Sequence, residues 1–562
     1  MKTRGKSKSK SKTRGKSKTR SKSKTIGKSK TVNIVNKCSN GLKYFIRETA
    51  NNKETHIILM VKTGGVNEGT HSGIAHLLEH LLFIGTKEFP TSQSLVEAIE
   101  KYGASINAYT GHQVTCYHIR CHHSKLSKLF TILSEMIKET NIDNYRVQNE
   151  KKIVANEIYY RQDKTKQNIN KQVFSHLMKN TVYEDLVIGT EKTLKNMEKY
   201  HINAFLVSQY RPENMVVGVV GRLGDNTSTS IINQIKKEFN IPQKTPIRGT
   251  ITVNPLMIHY DFNENDYKYK EYKKALDYYN KVNKNGEGVQ KTIHKKINWG
   301  YKNITTNSKQ VYVNLVFLCK GIKEAVLDDI LCKNVEDTIK DYLDLGMHSK
   351  LFDIIRESHF LTYNIGCSIS RYSHFGLFII RYNMMDDNDS IRKSIELVFD
   401  IIKKLKTELL EVNEIKNIDI KNINRSKSRN FNVLNAGIKK GEHILFNNIT
   451  TRLFKNNYYT KPLTDKKSKR TTGKIGEGSV KRNTRGSSRR LTQKSSKSQK
   501  SFKSKSKSKS KSKSKTDDLV TNKEIRDYSN ILFNPKKMGL VIASPKSISA
   551  RDISYSELVR LL

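Results

Sequence analysis

No stretch of the chain approaches 18 consecutive apolar residues, so the sequence offers no helix able to cross a bilayer. The N-terminus carries the charge of a secretory n-region without an apolar core behind it, which argues against a signal peptide. After Met1 the first bulky apolar residue is Ile26, so no amphipathic helix of the mitochondrial transit type can form there. Lys2, not glycine, follows Met1, which excludes N-myristoylation. The six cysteines (Cys38, Cys116, Cys121, Cys319, Cys332 and Cys367) form no CxxC pair. In a chain this large that fits free thiols in a reducing compartment. The expectation is an intracellular, cytoplasmic protein that is not secreted, with nuclear or virion-associated placement as alternatives.

Acidic residues are scarce in two places. Residues 1–31 contain none and carry +14, and residues 466–516 carry +19 around the single acid Glu477, out of +50 for the whole chain. What remains is a mildly basic body of 480 residues, so the overall charge does not by itself mark a nucleic-acid-binding fold. Both segments are Lys-Ser repeats with almost no apolar surface to offset the entropy of ordering, and they are expected to be disordered. Aromatics are nearly absent from them, Phe502 alone, which argues against base stacking. Weak electrostatic contact with nucleic acid or an anionic surface stays open.

Between these segments the pattern alternates strand and helix, and the length suggests more than one core. Residues 41–48 and 55–63 read as strands; residues 72–84 read as a helix, with Ile74, Leu77, Leu78, Leu81 and Leu82 at helical spacing. Pro90-Thr91 opens a second helix that Gly103 closes, residues 104–121 return to strand, and 124–139 and 144–162 are helical. PENMVVGVVG (212–221) and PKKMGLVIAS (535–544) share Pro-x-x-Met before an apolar strand. HIILMVKTG near 56 and VYVNLVFLCKG near 311 suit early strands of the same two units. The expected class is α+β, with two related α/β-sandwich domains at 32–245 and 309–550. A charged connector at 246–308 joins them, the basic run 466–516 interrupts the second in a surface loop, and a helix occupies 551–562.

The segment with most chemical content is GIAHLLEHLLFIGT, residues 73–86. On a helix His76 and His80 are i and i+4, so both imidazoles leave one face and can chelate one ion. Glu79 can point into such a site as a base without being a ligand; this is the inverted HxxEH zinc motif. The bland alternative is a buried amphipathic helix with two core-edge histidines and a paired glutamate. A third protein ligand must come from elsewhere, and NEKKIVANEIYYRQ offers Glu150 and Glu157, two helical turns apart on one face. CYHIRCHH (116–123) also looks metal-binding, but strand alternation sends Cys116 and His118 to one face and Cys121 to the other.

HxxEH followed by 76 residues and Glu157 resembles the pitrilysin/insulinase family of metallopeptidases. Gly64, Gly73, Gly85-Thr86 and INAYTGHQVTCY agree with it, over about residues 32–222 and more loosely 309–390. The resemblance implies the family's clamshell fold and one zinc ion per chain. By that resemblance His76, His80 and Glu157 are the ligands, Glu79 the general base and Glu150 a supporting carboxylate. Asn107 and Ala108 would lie on the edge strand that receives the peptide substrate. LGMHSKLFDIIRESHFLTYNIG (345–366) resembles the family's substrate-gripping segment and implies that role for Arg356 and Tyr363, although Phe360-Leu361-Thr362-Tyr363 stands where Gly-Leu-Ala-Tyr is usual. Two domains match the half-length branch that resembles processing peptidases, so the chain is expected to pair with itself or with a related chain. The function read from the sequence is a zinc endopeptidase acting on extended or unfolded peptides. The alternatives are a non-catalytic scaffold on the same fold and a nucleic-acid-associated protein.

Overall fold

The computed structural model describes residues 33–49, 53–163, 165–240, 267–323, 330–385, 387–411, 414, 433–447, 520–545 and 554–562. The two Lys-Ser segments, and the expectation of disorder made for them, lie outside the described residues.

Two sheets organise the chain. The first contains β1 (Asn33–Lys37), β2 (Lys43–Glu48), β3 (Thr55–Val61), β4 (Ser105–Thr110), β5 (Thr115–Cys121) and β6 (Met215–Gly221), in the order β1-β2-β6-β3-β5-β4. The second contains β7 (Gly300–Thr306), β8 (Val311–Cys319), β9 (Asn364–Arg371), β10 (Gly376–Met384) and β11 (Met538–Pro545), in the order β7-β11-β8-β10-β9. The two Pro-x-x-Met segments occupy equivalent places. β6 runs parallel to β2 and antiparallel to β3, and β11 runs parallel to β7 and antiparallel to β8. Each follows a short 3₁₀ turn that begins at its proline, Pro212 or Pro535. The duplication legible in the sequence is therefore a duplication of sheet topology.

Each half packs its own helices on one face of its sheet. In the first half these include α1 (Ile74–Leu81), α2 (Ser92–Glu100), α3 (Leu126–Lys138) and α4 (Asn144–Asp163), which contribute Leu77, Leu81, Leu95, Leu129, Leu133 and Val154 to one core. β3 alternates across the sheet: Ile57, Leu59 and Val61 face that core, while Ile58 and Met60 face the other way. The opposite face is covered by the other half. α5 (Thr165–Leu177) sends Ile169, Val173 and Leu177 onto Val541 and Ala543 of the second sheet. A helix at Val433–Asn447 sends Val433, Ile444 and Phe446 onto Ile58, Met60 and Val220 of the first. This reciprocal covering is why β3, β6 and β11 are buried on both faces, and it joins the two halves.

Helix Val433–Asn447 lies close to its sheet through Gly437 and Gly441. A Cβ at Gly437 would fall 2.5 Å from Ile58 Cδ1, and one at Gly441 2.3 Å from Met60 Sδ. Alanine gains about 1 kcal/mol of helix propensity at each position, but the overpacking costs typically 1–3 kcal/mol each. The Gly437→Ala/Gly441→Ala protein is expected to lose about 2 kcal/mol in denaturant unfolding, the middle of the roughly 0–4 kcal/mol that these terms leave. A midpoint as high as that of the unchanged protein would show that the helix can rise from the sheet without loss.

Two boundaries differ from the sequence expectation. Residues 104–121 form a hairpin, β4 and β5, closed at Gly111, whose N–H donates to the Val114 carbonyl at 2.8 Å. The connector at 246–308 is largely domain: its Tyr267–Thr292 helix buries Tyr272, Ala275 and Tyr279 in the first core, and Gly300–Thr306 is β7. The charged, Tyr-rich composition hid the helix, although residues 272, 275 and 279 follow helical spacing. As an edge strand that buries only Ile304 fully, GYKNITT needs few apolar residues, so its sequence reads as loop. Cys116 and Cys121 lie in cores on opposite faces of the first sheet, so the CYHIRCHH cysteines diverge.

Candidate active site

α1 begins at Gly73, whose φ of +96° is a left-handed conformation that glycine adopts freely. Glycine brings no capping side chain, and Glu68 supplies one. Its carboxylate accepts the Gly73 N–H at 2.8 Å and the Ala75 N–H at 3.0 Å, satisfying two of the helix's orphan donors. Burial pushes the Glu68 carboxyl up to about 8, against the opposing pull of those two donors. Ile74, Leu77, Leu78 and Leu81 anchor the helix in the core, which fixes the face from which the histidines emerge.

His76 is buried and His80 half-buried, with ring centroids 4.8 Å apart. α4 crosses α1 and brings Glu157 and Glu150 to them. Glu157 Oε2 lies 3.7 Å from His76 Nε2 and 3.5 Å from His80 Nε2, and Glu150 Oε2 lies 3.3 Å from His80 Nδ1. Among the described residues, His76, His80 and Glu157 are the group whose nitrogen and oxygen atoms could hold one metal ion, all within 4.8 Å of one another. Four-coordinate zinc with bonds of about 2.0–2.1 Å sets its ligand atoms roughly 3.3–3.5 Å apart. The two carboxylate–imidazole separations, 3.7 and 3.5 Å, are close to that, and two imidazoles with one carboxylate are a donor set that zinc accepts. The residues fit the ion.

Electrostatics agree with the geometry. Burial, with the neighbouring His80, pushes the His76 imidazole down to about 4, so it is neutral and able to ligate near pH 7. Burial opposes charge on His80 too, but Glu150, Glu79 and Glu157 outweigh it and raise its pKa. Burial also raises Glu79, against the Thr110 hydroxyl, which donates to Glu79 Oε2. Arg161, one turn beyond Glu157, donates to Glu157 Oε1 at 2.5 Å and leaves Oε2 towards the histidines.

The cavity at these residues is bounded by Ala108, Tyr109 and Thr110 of β4 and by Val187 and Ile188. Among the described residues β4 pairs with β5 alone and no strand lies on its other edge. Ala108 reaches the cavity, whereas Asn107 is exposed and its Oδ1 accepts the Ala108 N–H at 2.8 Å. Arg356 and Tyr363 are not gathered here: among the described residues the second half contributes nothing to the cavity lining. They form a unit of their own. The Arg356 guanidinium stands 4.4 Å from the Phe352 ring centre and 4.7 Å from that of Tyr363, at the end of a π-helical turn, Phe352–Ser358. Tyr363 precedes β9 and is 79% exposed.

Glu68, Thr110 and Arg161 were not among the residues singled out from the sequence. Arg161 had a local signal, its i+4 spacing from Glu157. The other two touch α1 through loop and sheet geometry that sequence spacing does not carry.

Residues 44–191 match the family described as Insulinase (Peptidase family M16), and residues 196–418 match that described as Peptidase M16 inactive domain. The chain belongs to the M16 peptidase family. An uncharacterized zinc protease of Rickettsia felis is 25% identical over 381 residues, covering 68% of this chain and 78% of that one. The beta subunit of the mitochondrial-processing peptidase of Dictyostelium discoideum is 24% identical over 202 residues, 36% of this chain and 42% of that subunit. The chain thus spans less than half of that subunit. A protease from Helicobacter pylori superposes with a TM-score of 0.63 at 16% identity, covering 92% of this chain and 100% of that one, a likeness of fold. M16 relatives named zinc proteases make zinc the cofactor of the family. The two-sheet, two-domain α+β architecture is that of the M16 neighbours.

Proposed function

We propose that this chain is a zinc-dependent endopeptidase that cleaves extended or unfolded peptides. The observation that carries the reading is the convergence of His76 Nε2, His80 Nε2 and Glu157 Oε2 beside the half-buried Glu79, at the edge of β4 opposite β5. Zinc held by these three residues would lower the pKa of a water towards 7 and polarise the peptide carbonyl.

The chain's own residues supply the rest. The hydrogen bond from Thr110 orients one oxygen of Glu79, and burial makes its carboxylate a better proton acceptor near neutral pH. Glu79 takes the proton from the attacking water and returns it to the leaving amine nitrogen. Glu150, at His80 Nδ1, keeps the proton on that nitrogen and directs the Nε2 lone pair into the site. Substrate adds as a strand along β4 at Asn107 and Ala108. Arg356 and Tyr363 donate to the carbonyl oxygen as it gains charge, arriving from a facing copy or a related chain. The free thiols Cys38, Cys116, Cys121, Cys319 and Cys367 favour an intracellular, reducing setting.

The test is cleavage of a quenched, unstructured peptide before and after zinc removal by a chelator, then with zinc restored. Loss and recovery of cleavage are expected. Activity that survives complete zinc removal would sink the reading. Glu150→Gln is expected to weaken zinc affinity by about 10–100-fold, since partners of a ligating imidazole typically contribute that much. Zinc competition against a fluorescent chelator measures it, and unchanged affinity would relieve Glu150 of the role.

A further inference from the structure

The segment 62–73 joins β3 to α1, and Val66 is its one bulky apolar side chain. Packing alone holds such a loop weakly, so its hydrogen bonds decide where it runs. Glu68 ties it to α1 through the Gly73 and Ala75 N–H groups. The same loop is held by the Tyr267–Thr292 helix. The Tyr278 hydroxyl accepts the Thr70 N–H at 2.7 Å, and Asn283 Oδ1 accepts from Asn67 Nδ2 at 3.1 Å. The Tyr279 hydroxyl lies 3.0 Å from His71 Nδ1. Burial lowers the His71 imidazole and raises the Tyr279 phenol, so this pair stays uncharged near neutral pH. Loop and helix are in close contact: a Cβ at Gly69 would collide with the Tyr278 hydroxyl. Main-chain bonds complete the path to α1. The His71 N–H donates to the Glu68 carbonyl at 3.1 Å, and the Ile74 N–H donates to the His71 carbonyl at 3.0 Å.

The helix is a firm support. Tyr272, Ala275 and Tyr279 bury its stripe in the first core, and the Tyr279 ring meets that of Phe205 edge-on at 5.1 Å. Near its end Gln290 Oε1 accepts from Gln113 Nε2 at 2.9 Å and from the Ser373 hydroxyl at 3.2 Å. Those bonds tie the helix to the turn between β4 and β5 and to the second half. What it supports is short. α1 has eight residues, so His76 and His80 each lie within about one turn of an end. A metal site must be held within about 0.5 Å of its working geometry, and a shift at the start of α1 carries straight to both imidazoles.

We propose that Tyr278, Tyr279 and Asn283 are positioning residues for the zinc centre: through the loop 67–71 they fix the start of α1, and with it the placing of His76 and His80 against Glu157. This rests on the zinc peptidase reading and assigns to the same site residues from the charged segment that reads as a linker.

The test uses the full chain. Tyr278→Phe/Tyr279→Phe removes both hydroxyls and keeps both rings, so the core contacts remain. Cobalt(II) is the probe, because its visible absorption bands report ligand geometry as well as occupancy. The double variant should bind cobalt(II) and zinc about tenfold more weakly, the lower end for outer partners of metal ligands, and its bands should change. For a quenched peptide kcat should fall while KM changes little. Ala275→Gly is the control: it weakens the same helix and removes none of these hydrogen bonds. It should lower the melting temperature and leave cobalt affinity and bands as in the unchanged protein. A second arm follows hydrogen–deuterium exchange over residues 73–82 in metal-free protein, where the start of α1 should exchange faster in the double variant than in Ala275→Gly. If the unchanged protein binds no metal and cleaves nothing, the zinc reading falls, and the exchange arm still decides whether these residues hold α1. Unchanged affinity and bands in the double variant, an equal loss in Ala275→Gly, or unchanged exchange of α1 would each overturn the proposal.

Discussion

Glu79→Gln is expected to lower peptide hydrolysis by about two to four decades, the usual worth of a positioned acid–base group, while zinc content stays that of the unchanged protein. The amide is isosteric and can still accept from Thr110, whose hydroxyl donates to Glu79 Oε2, so the side chain keeps its place. It cannot take a proton from water. Glu79 is not in the His76–His80–Glu157 ligand group, so the ion should remain. Metal analysis of the purified variant beside a turnover assay checks both halves. Zinc lost along with activity would reassign Glu79 as a ligand. Glu157→Gln is the contrasting variant: it removes the charge from the carboxylate whose Oε2 lies 3.5 Å from His80 Nε2, and on the proposed reading zinc should be lost.

Tyr363→Phe is expected to lower turnover by about two to three decades with zinc and fold intact, the cost of removing one donor to a developing oxyanion. The hydroxyl is exposed and makes no core contact, so stability should not follow activity. Among the described residues the cavity is lined by the first half alone, so on the proposed reading the donor would come from a different chain or from a closing movement of the halves. Mixing Glu79→Gln with Tyr363→Phe chains separates these. In a homodimer, one of the two mixed sites combines an intact Glu79 with an intact Tyr363, and part of the activity returns. If each variant is inactive alone and the mixture stays inactive after confirmed subunit exchange, donation comes from within the chain or from a distinct partner protein.

The grouping of the candidate ligands was legible because its parts are local. His76, Glu79 and His80 share one helix, and Glu150 and Glu157 share another, so the 3.6-residue repeat alone orders each group. The topological repeat was legible for a related reason: each Pro-x-x-Met turn is followed at once by the strand it introduces. β7 and the Tyr267–Thr292 helix were not legible as elements of the two domains. An edge strand and a helix that buries only a narrow stripe need few apolar residues, and their charged neighbours make them look like linker.

By itself, then, the sequence determined which side chains share a face and which chemistry they can carry, since both depend on spacing of a few residues. Only the tertiary structure decided how the groups meet. α4 had to cross α1 for Glu157 to approach both imidazoles, Glu68 had to fold back five residues to cap α1, and Thr110 had to arrive from a sheet edge. It also decided that each half covers the outer face of the other's sheet, and that Phe360 sits in a left-handed turn. These depend on long-range packing and on hydrogen bonds closed by neighbouring turns, which no short residue spacing encodes, because the fold alone sets how far apart in space two segments of the chain come to lie.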